Sequence, residues 1–438
     1  MNDWTGFLGG HPQAVTPNMD ALANRGVNFT NAHCPAPGCS PSRNAVLFGV
    51  EPNKSGLYVF YDLDSIPEET LKPYTALTEF FMANGYETFG SGKIHHKRDT
   101  DNGEWSEFFK RDNQALKFDK NEDEYYTQGN WKMTFGPTLS PYEKNTDYQN
   151  TTYGVEVLDR AHEKPFFLAV GIIKPHLPFV APKPFFDLYQ NPVEPPVMFE
   201  NDIDDIPEVG RCMIKQGDNA RFIKDHAWDR VRRAYLACIS WADYNVGRLI
   251  EALEASEYAD NTIVVLWSDH GYALQEKGHF RKFALWEETT RVPFIIWDTR
   301  EHQAGEGREI ADGVSLINIY RTLAELSGLT PPKYVDGYSL APYLEDTRRR
   351  LPTPAVTNWG RGNYSVRDAD WRYIRYYDGS EELYSHLKDA NEWSNLADQR
   401  EYAEVKRRLS AFIPTDEAPL IKEGAAAWSM PISADKAL

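Results

Sequence analysis

The segment with the clearest chemical potential is Cys39-Ser40-Pro41-Ser42-Arg43, which stands directly ahead of the apolar run Ala45-Val46-Leu47. The apolar run predicts a helix, so the segment predicts a cysteine at a helix N-terminus with an arginine one turn further on. The partial positive charge of a helix N-terminus stabilises a thiolate or another anion placed there. This segment therefore indicates a reactive group rather than a part of the core.

A second segment, Ser268-Asp269-His270-Gly271, directly follows the apolar run Thr262 to Trp267. Such a run is typical of a strand that is buried on both faces. A carboxylate and an imidazole at the end of a strand, next to a glycine turn, predict a metal corner. Asp and His suit Ca²⁺ or Mg²⁺ when further carboxylates join them. The alternative is a capping aspartate beside a surface histidine.

Three more segments bring cations and histidines to predicted strand ends or to the loop after Asp269. Lysines suit an anionic oxygen, and a histidine fixed between two prolines suits a general acid. Taken singly, these segments are also typical of solvated turns or packed loops. They are Gly92-Lys93-Ile94-His95-His96, Lys174-Pro175-His176-Leu177-Pro178 and Gly278-His279-Phe280-Arg281-Lys282.

The recurrence of cations in these segments contrasts with the composition. The chain has 47 Lys and Arg against 65 Asp and Glu, which gives a net charge of −18. In a parallel α/β sheet, ligands bind at the carboxyl ends of the strands. Four cations and several histidines at such ends predict a site for a tetrahedral oxyanion with one divalent metal. The four cations are Arg43, Lys93, Lys174 and Lys282.

Alternating helices and apolar strands must position these residues. Helices are predicted near 16–26, 73–84, 228–256 and 315–327, with buried strands at 166–173, 262–267 and 292–297. This alternation predicts an α/β fold with a mainly parallel sheet between helices. After about residue 345, short aromatic strands predict a small antiparallel sheet, followed by a helix near 400–412. We therefore predict a catalytic domain at 1–346 and a C-terminal subdomain at 347–438.

The composition also excludes several classes of protein. A net negative charge argues against a nucleic-acid partner, because phosphate backbones bind cationic surfaces. Four cysteines in 438 residues make no disulfide framework, and no apolar run reaches the about 18 residues of a membrane span. The opening residues Met1-Asn2-Asp3-Trp4 have no basic stretch followed by an apolar one, so no signal peptide is predicted.

The order of the motifs resembles that of type I sulfatases of the alkaline-phosphatase-like superfamily. The Lys-Pro-His segment, the histidine after Asp269 and the spacing of Gly-Lys with His are most similar to iduronate-2-sulfatase and its bacterial relatives. The resemblance runs from Met1 to about residue 400. It rests on Cys39-Ser40-Pro41-Ser42-Arg43, Gly92-Lys93 with His96, Lys174-Pro175-His176, Ser268-Asp269-His270-Gly271 and Lys282.

The resemblance implies that a formylglycine-generating or sulfatase-maturing enzyme oxidises Cys39 to formylglycine, whose hydrate attacks sulfur. It implies that Arg43 and Lys93 hold the hydrate, and that one of His95 and His96 helps to expel sulfate. His176 and Lys282 would contact the sulfate and the leaving alcohol, while Lys174 and His279 are predicted to contact substrate. The implied ligands of a Ca²⁺ ion, with Mg²⁺ as the alternative, are Asp269, His270 and the modified Cys39.

One part of the family pattern is absent. The family carries two adjacent metal-binding aspartates at the end of its first strand, immediately before the segment that begins here with Met1-Asn2-Asp3-Trp4. We therefore expect the first strand to be missing and about half of the metal ligands with it. Met1 is expected to be an internal methionine, with the natural start and any signal peptide upstream, since the family is usually periplasmic or secreted.

The predicted function is hydrolysis of sulfate esters on a sulfated saccharide. Two alternatives stay open at this point: a phosphonate or phosphodiester hydrolase of the same superfamily, and an inactive glycan-binding protein. The insertions at 97–160 and 190–225 are the expected substrate loops, whereas the last stretch, around Gly424, carries no motif.

Overall fold

A computed structural model describes residues 1–96, 103–110, 116–117, 125–127, 133–189, 192–301 and 307–435. Its strands are β1 (Val27–Phe29), β2 (Ala32–His33), β3 (Glu87–Gly92), β4 (Glu107–Phe109), β5 (Tyr126–Thr127), β6 (Thr134–Thr138), β7 (Phe166–Gly171), β8 (Phe179–Pro182), β9 (Ile263–Trp267), β10 (Ala273–Leu274), β11 (Phe280–Arg281), β12 (Phe294–Asp298), β13 (Arg308–Ile310), β14 (Val314–Ser315), β15 (Ala355–Asn358), β16 (Tyr364–Arg367), β17 (Trp371–Arg375) and β18 (Glu381–Ser385).

The α-helices cover the segments that the sequence predicted and several short turns between them. They are α1 (Pro17–Arg25), α2 (Cys39–Phe48), α3 (Pro52–Ser55), α4 (Glu68–Leu71), α5 (Leu77–Ala83), α6 (Thr146–Leu158), α7 (Lys183–Phe186), α8 (Glu208–Arg211), α9 (Gln216–Lys224), α10 (Trp228–Ala255), α11 (Glu287–Thr290), α12 (Asn318–Leu326), α13 (Ala341–Glu345) and α14 (Ala403–Ser410). None of the described helices combines the length and the apolar character that crossing a membrane requires.

Two sheets carry the candidate residues at the ends of their strands. One has the strand order β13-β1-β12-β9, and the other has the order β4-β3-β7. β3 pairs in parallel with β4 and β7, and β1 pairs in parallel with β13, as the alternation of helices and strands predicted. β12 runs antiparallel to both β1 and β9, which departs from the parallel arrangement. Because both neighbours of β12 oppose it, β1 and β9 still run in the same direction.

A cavity of about 830 Å³ separates the two sheets at β7 and β9, and it is lined by both strands and by side chains of α5, α10 and α12. Within the described ranges, no strand lies between these two edges. Most residues of β7 and all of β9 are only half-buried, although their apolar runs predicted full burial. The gap explains the difference, since neither edge has a neighbouring strand to cover it.

The C-terminal strands β15 to β18 form an antiparallel sheet in sequential order, and α14 packs on β17. β15 was not predicted, because its residues lie beside a charged connector that contains proline. The sheet also supports the segment that leads to Cys39. The hydroxyl of Thr357 donates to the main-chain oxygen of Cys34 at 2.6 Å, and the amide of Asn358 donates to that of Pro35 at 2.8 Å.

A buried group of charges joins this sheet to the loop that carries Lys282. Arg372 on β17 is 0% exposed, and its guanidinium donates to the carboxylates of Glu287 and Glu392. It also donates to the main-chain oxygen of Leu285 at 3.1 Å. The burial of a guanidinium requires paired carboxylates, because an unpaired charge in the interior is strongly unfavourable. Arg372 thereby fixes residues 285–287 next to the C-terminal sheet.

We expect Arg372→Met to lower the free energy of unfolding by about 3–5 kcal/mol, because it removes the buried guanidinium that Glu287 and Glu392 share and leaves them only weaker partners such as Arg367 and His386. Urea unfolding followed by tryptophan fluorescence measures this change. Arg348→Ala is the matched control: Arg348 pairs with Asp346 at the surface, and we expect its loss to leave the unfolding curve nearly unchanged. An Arg372→Met protein as stable as the parent would contradict the structural role of the buried charges.

Candidate active site

Cys39 is the first residue of α2, as the sequence predicted. Gly38 precedes it in an extended conformation, and Gly49 ends the helix in the left-handed conformation that glycine adopts without strain. Pro41 is tolerated in the first turn, because the amide hydrogen that proline lacks would have no helical partner there. The local sequence thus places Cys39, which is only 1% exposed, at the positive end of a helix.

Two side chains from the same part of the chain contact the Cys39 sulfur. Lys282 Nζ lies 2.7 Å from Sγ, and His270 Nε2 lies 3.2 Å from it. His270 Nδ1 lies 2.7 Å from the main-chain oxygen of Gly271, which suits the tautomer with its proton on Nδ1. Nε2 then faces both the thiol and Lys282, whose Nζ is 3.1 Å away. The structure therefore brings Cys39, His270 and Lys282 together at one point.

Arg43 connects the helix of Cys39 to the ends of two strands. Its Nε donates to Asp269 Oδ2 at 2.8 Å, just beyond the end of β9. Its Nη1 donates to the main-chain oxygens of Lys93 and Ile94, at 2.6 and 2.7 Å, just beyond the end of β3. Because one guanidinium binds both strand ends, it fixes the distance between the Asp269 and Lys93 segments.

The charges around Cys39 favour the anionic form of its side chain. Burial by itself would raise the pKa of the Cys39 thiol, but the cations of Lys282 and Lys93 outweigh it and hold that pKa well below its ordinary value. Burial would likewise raise the pKa of Asp269, and Arg43 together with His270 lowers it well below the usual range. The thiolate thus marks a position where the protein stabilises a negative charge.

Lys93 and His176 line the same cavity as Cys39. Burial lowers the pKa of the Lys93 ammonium, and the charge on Cys39 opposes this shift. His176 is exposed, yet desolvation lowers the pKa of its ring, and the interaction with Cys39 opposes this shift. His176 Nδ1 lies 2.6 Å from the main-chain oxygen of Leu177, so the ring is fixed in orientation.

The adjacent histidines His95 and His96 point to different surroundings. His95 is buried, and its Nε2 lies 2.6 Å from a carboxylate oxygen of Glu104. His96 lies 3.2 Å through Nδ1 from the main-chain oxygen of Tyr61. Burial, followed by the charge of Lys93, lowers the pKa of His96 to about 4, and the charge on Cys39 opposes this shift. His96 is therefore the histidine whose pKa depends on the charges of Lys93 and Cys39.

Lys174 and His279 are both bonded to nearby main chain, although Lys174 also lines the cavity that contains Cys39. Lys174 Nζ donates to the main-chain oxygens of Pro178 and His176, at 2.5 and 3.4 Å, so it closes its own loop. His279 is 1% exposed, and its ring nitrogens face the main chain of Lys215 at 2.9 Å and of Lys282 at 3.1 Å. His279 thus holds the Lys282 segment from inside, which a sequence motif cannot distinguish from a site residue.

The loop at 275–283 that carries Lys282 has an unusual backbone. Four of its non-glycine residues have positive φ angles: Gln275 at 116°, Lys277 at 50°, Arg281 at 92° and Phe283 at 83°. Such conformations cost free energy for residues with a Cβ atom and persist where the surroundings enforce them. Here the enforcing contacts include the stack of Phe283 on Trp359, with ring centroids 5.2 Å apart.

The metal corner is only partly formed by these residues. Cys39, Asp269 and His270 each offer one ligand atom, and these atoms lie within 4.8 Å of one another. Only one of them is a carboxylate, whereas Ca²⁺ takes roughly six to eight oxygen ligands. One Asp269 oxygen is also bound by Arg43. The donors therefore fit part of a divalent-metal site at the predicted strand end, and further oxygen ligands are needed to complete it.

Two neighbours of the site were not found from the sequence. The main-chain nitrogen of Met1 lies at the end of β9, 2.7 Å from Ser268 Oγ and 3.0 Å from the main-chain oxygen of His270. The Phe60 ring lies 5.3 Å from Lys282 Nζ and 5.1 Å from the His96 ring. Neither residue belongs to a motif, and only the folded chain brings them to Cys39.

The family is decided by comparison with known proteins. The Sulfatase family profile matches residues 3–329, and the profile described as N-sulphoglucosamine sulphohydrolase, C-terminal, matches residues 275–417. The chain belongs to the sulfatase family. A sulfatase from Formosa agariphila is 37% identical over an alignment that covers 92% of this chain and 82% of that protein. Human iduronate 2-sulfatase is 28% identical over an alignment that covers 82% of this chain and 80% of that enzyme.

Solved structures confirm the fold of this sulfatase. BT4656, determined in complex with D-glucosamine-2-N,6-O-disulfate, superposes with a TM-score of 0.71 at 20% identity, over 94% of both chains. A phosphonate monoester hydrolase from Silicibacter pomeroyi superposes with a TM-score of 0.73 at 18% identity, over 94% of this chain and 92% of that one. The resemblance to sulfatases inferred from the motifs is thereby confirmed, and sulfate-ester hydrolysis is the reaction of the family.

We expect the unmodified Cys39 thiol to titrate well below the ordinary pKa of a cysteine, because Lys282 and Lys93 stabilise its thiolate. Thiolate absorbance at 240 nm should therefore persist to a lower pH than that of an ordinary cysteine. The signal is assigned by difference with Cys39→Ala. Lys282→Met should move the titration to higher pH. A Cys39 titration at or above the ordinary value would contradict this electrostatic picture.

Proposed function

We propose that this sulfatase hydrolyses sulfate esters on a sulfated saccharide, with Cys39 as the precursor of the nucleophile. The observation that carries the proposal is the position of the Cys39 sulfur, at a helix N-terminus and 2.7 Å from Lys282 Nζ. A pocket that holds a thiolate in a buried site has the electrostatic character that an oxyanion requires. Oxidation of Cys39 to formylglycine, by a formylglycine-generating or sulfatase-maturing enzyme, supplies a hydrated aldehyde as nucleophile at this point.

The residues around position 39 then have separate tasks. We assign Arg43 and Lys93 to holding the nucleophile, because Arg43 fixes the main chain at Lys93 and the charge of Lys93 acts on Cys39. Lys282 stabilises negative charge on the sulfate and on the leaving oxygen. Its contact with Cys39 supports this assignment, since the sulfate has to lie against the same atom.

Two histidines are assigned to proton transfer. His176 lines the cavity that contains Cys39, with Nδ1 oriented by the main-chain oxygen of Leu177, and this position supports a role at the leaving alcohol. His96 is assigned to the later step, in which sulfate leaves position 39. With a pKa of about 4 it is neutral near pH 7 and is able to accept a proton. His95 is assigned to the fold, through its bond to Glu104.

We propose Ca²⁺ as the metal, with Mg²⁺ as the alternative, held in part by Asp269, His270 and an oxygen at position 39. The ion would supply positive charge against the sulfate oxygens. The three donor atoms within 4.8 Å of one another support the location. The oxygen-poor set of donors supports the expectation that other ligands complete the shell.

The substrate class is supported by the named relatives. Proteins described as Iduronate 2-sulfatase from Homo sapiens and Ulvan-active sulfatase from Formosa agariphila match 82% and 92% of this chain. The BT4656 structure holds a disulfated glucosamine. Phosphonate monoester hydrolases share the fold at 18–20% identity, which supports the architecture but not their activity. We therefore favour the sulfated saccharide over a phosphonate ester.

Mass spectrometry of the peptide that spans 26–43 should show Cys39 converted to formylglycine when the protein is produced with a maturing enzyme. The same preparation should hydrolyse 4-nitrophenyl sulfate and sulfated disaccharides faster than a phenyl phosphonate ester. Cys39→Ala should abolish turnover, and Cys212→Ser, at an exposed cysteine, serves as the matched control. Full activity with an unmodified thiol would refute the proposed nucleophile, and faster phosphonate hydrolysis would favour the alternative enzyme.

Substitution of the two adjacent histidines should separate their roles. We expect His96→Ala to lower kcat by about 10²–10⁴-fold, the usual contribution of a proton-transfer group, with little change in unfolding. We expect His95→Ala to lower the free energy of unfolding by about 1–3 kcal/mol, because Glu104 loses a buried partner. Steady-state kinetics and urea unfolding on both variants measure these effects. The reverse pattern would exchange the two assignments.

A further inference from the structure

Trp428 is a large, solvent-exposed aromatic side chain beside the candidate active site. It lies in the short turn Ala427–Ser429 and is 68% exposed. Its ring centroid is 5.0 Å from that of Phe60 and 6.2 Å from that of Phe283. Exposure of so much apolar surface is unfavourable, and exposed aromatic surface beside a pocket indicates a binding surface.

Two hydrogen bonds to the main chain of Phe60 hold the turn that carries Trp428 in this position. The amide of Ala426 donates to the main-chain oxygen of Phe60 at 2.8 Å. The amide of Phe60 donates to Ser429 Oγ at 3.1 Å. Residues on both sides of Trp428 are thus bound to the segment at Phe60. The indole is therefore presented on a fixed support, so that contact with a ligand costs little ordering of the chain.

Phe60 connects Trp428 to the reacting centre. Lys282 Nζ lies 5.3 Å from the Phe60 ring and 5.4 Å from the Phe283 ring, and the same nitrogen is 2.7 Å from the Cys39 sulfur. Phe60 and Phe283 are themselves in edge contact, with centroids 5.6 Å apart. Trp428, Phe60 and Phe283 thus form an aromatic wall that begins at the ammonium of Lys282 and ends in solvent at Trp428.

We propose that Trp428 is the stacking platform for the sugar ring whose sulfate group lies at Lys282 and Cys39. This inference rests on the proposed function, since it takes the sulfate to bind at Cys39. A sulfated sugar has two chemically different parts, an anionic ester and a ring face made of C–H groups. The ester matches the cations, and the C–H face matches the indole, which offers a large rigid surface at low entropic cost.

The aromatic wall also predicts which part of the site determines substrate specificity. Lys282 and the groups at Cys39 contact the sulfate that all sulfate esters share, so they do not distinguish a sugar from a small ester. Trp428 lies on the outer side of that cation, where only the rest of the substrate reaches. Trp428 is therefore a specificity-determining residue, and the C-terminal stretch that carried no sequence motif contributes to the active site.

The test compares Trp428→Ala and Trp428→Phe on two classes of substrate. Sulfated disaccharides prepared from heparin and from ulvan supply the sugar ring, and 4-nitrophenyl sulfate lacks it. Leu387→Ala is the matched control, because Leu387 is a large apolar side chain that is 73% exposed and lies just after β18, outside the wall and outside the expected substrate loops. Binding of the same disaccharides to Cys39→Ala, with and without Trp428→Ala, is measured by calorimetry.

We expect Trp428→Ala to raise KM for the disaccharide substrate about 3- to 10-fold, as loss of one aromatic contact does. The value of kcat should change little, KM for 4-nitrophenyl sulfate should change much less, and Trp428→Phe should recover most of the loss. Leu387→Ala should have no effect on either substrate. In calorimetry, Trp428→Ala should weaken disaccharide binding to the Cys39→Ala protein by the same factor.

Two results would contradict the proposal that Trp428 stacks on the sugar ring. One is a disaccharide KM that Trp428→Ala leaves unchanged for both preparations. The other is an equal rise of KM for both substrate classes, which would mean that the indole only packs against Phe60. Absence of turnover of every sulfate ester by the matured parent protein would refute the proposed function instead. The calorimetric arm then still decides whether Trp428 binds the sugar.

Discussion

The contact between Lys282 Nζ and the Cys39 sulfur is the interaction on which the site depends. Both atoms are buried, and burial of either charge alone is unfavourable. At 2.7 Å the two charges stabilise each other, and the positive end of α2 adds to the stabilisation of the anion. The same balance explains why the site is locally basic in a chain of net charge −18. An anionic substrate is repelled at long range and is bound only where these cations converge.

Much of the remaining structure serves to hold this contact. Lys282 lies in a loop with four non-glycine residues at positive φ, a conformation that does not persist without support. The buried His279 ring supports this loop through its contact with the main-chain oxygen of Lys282, and Phe283 supports it by stacking on Trp359. Arg372 fixes the following residues from the C-terminal sheet. The C-terminal sheet thus helps to hold Lys282 against Cys39.

The metal corner is the less complete half of the site. Asp269 and His270 stand at the end of β9, which is one edge of the gap between the two sheets. Arg43 binds Asp269 and the main chain beyond β3, and it therefore bridges the sheets at this end. Side chains that approach from within the gap would meet Asp269 and His270 directly. The incomplete donor set and the half-buried strands are therefore two consequences of the same opening in the sheet.

The sequence by itself determined the reaction class and the local order of the motifs. Cys39 before a helix and Asp269 after an apolar strand follow from short-range patterns, because helix caps and strand ends depend on neighbouring residues. Alternation of helices and strands likewise determined the fold class. The antiparallel direction of β12 did not follow, because an apolar run of that length suits either direction. The half-burial of β7 and β9 depends on which strands are neighbours in space.

Only the tertiary structure showed which way the candidate side chains point and therefore which of them face Cys39. His95 and His96 are adjacent in sequence, yet one faces Glu104 and the other the charges at Cys39, a difference of side-chain orientation that spacing does not encode. His279 and Lys282 share a motif, but the burial of His279 makes it a support. Trp428 lies far along the chain from Cys39. Hydrogen bonds of Ala426 and of the Ser429 hydroxyl with the main chain of Phe60 bring it to the site. Contacts between such distant segments arise from packing, which no local pattern of residues records.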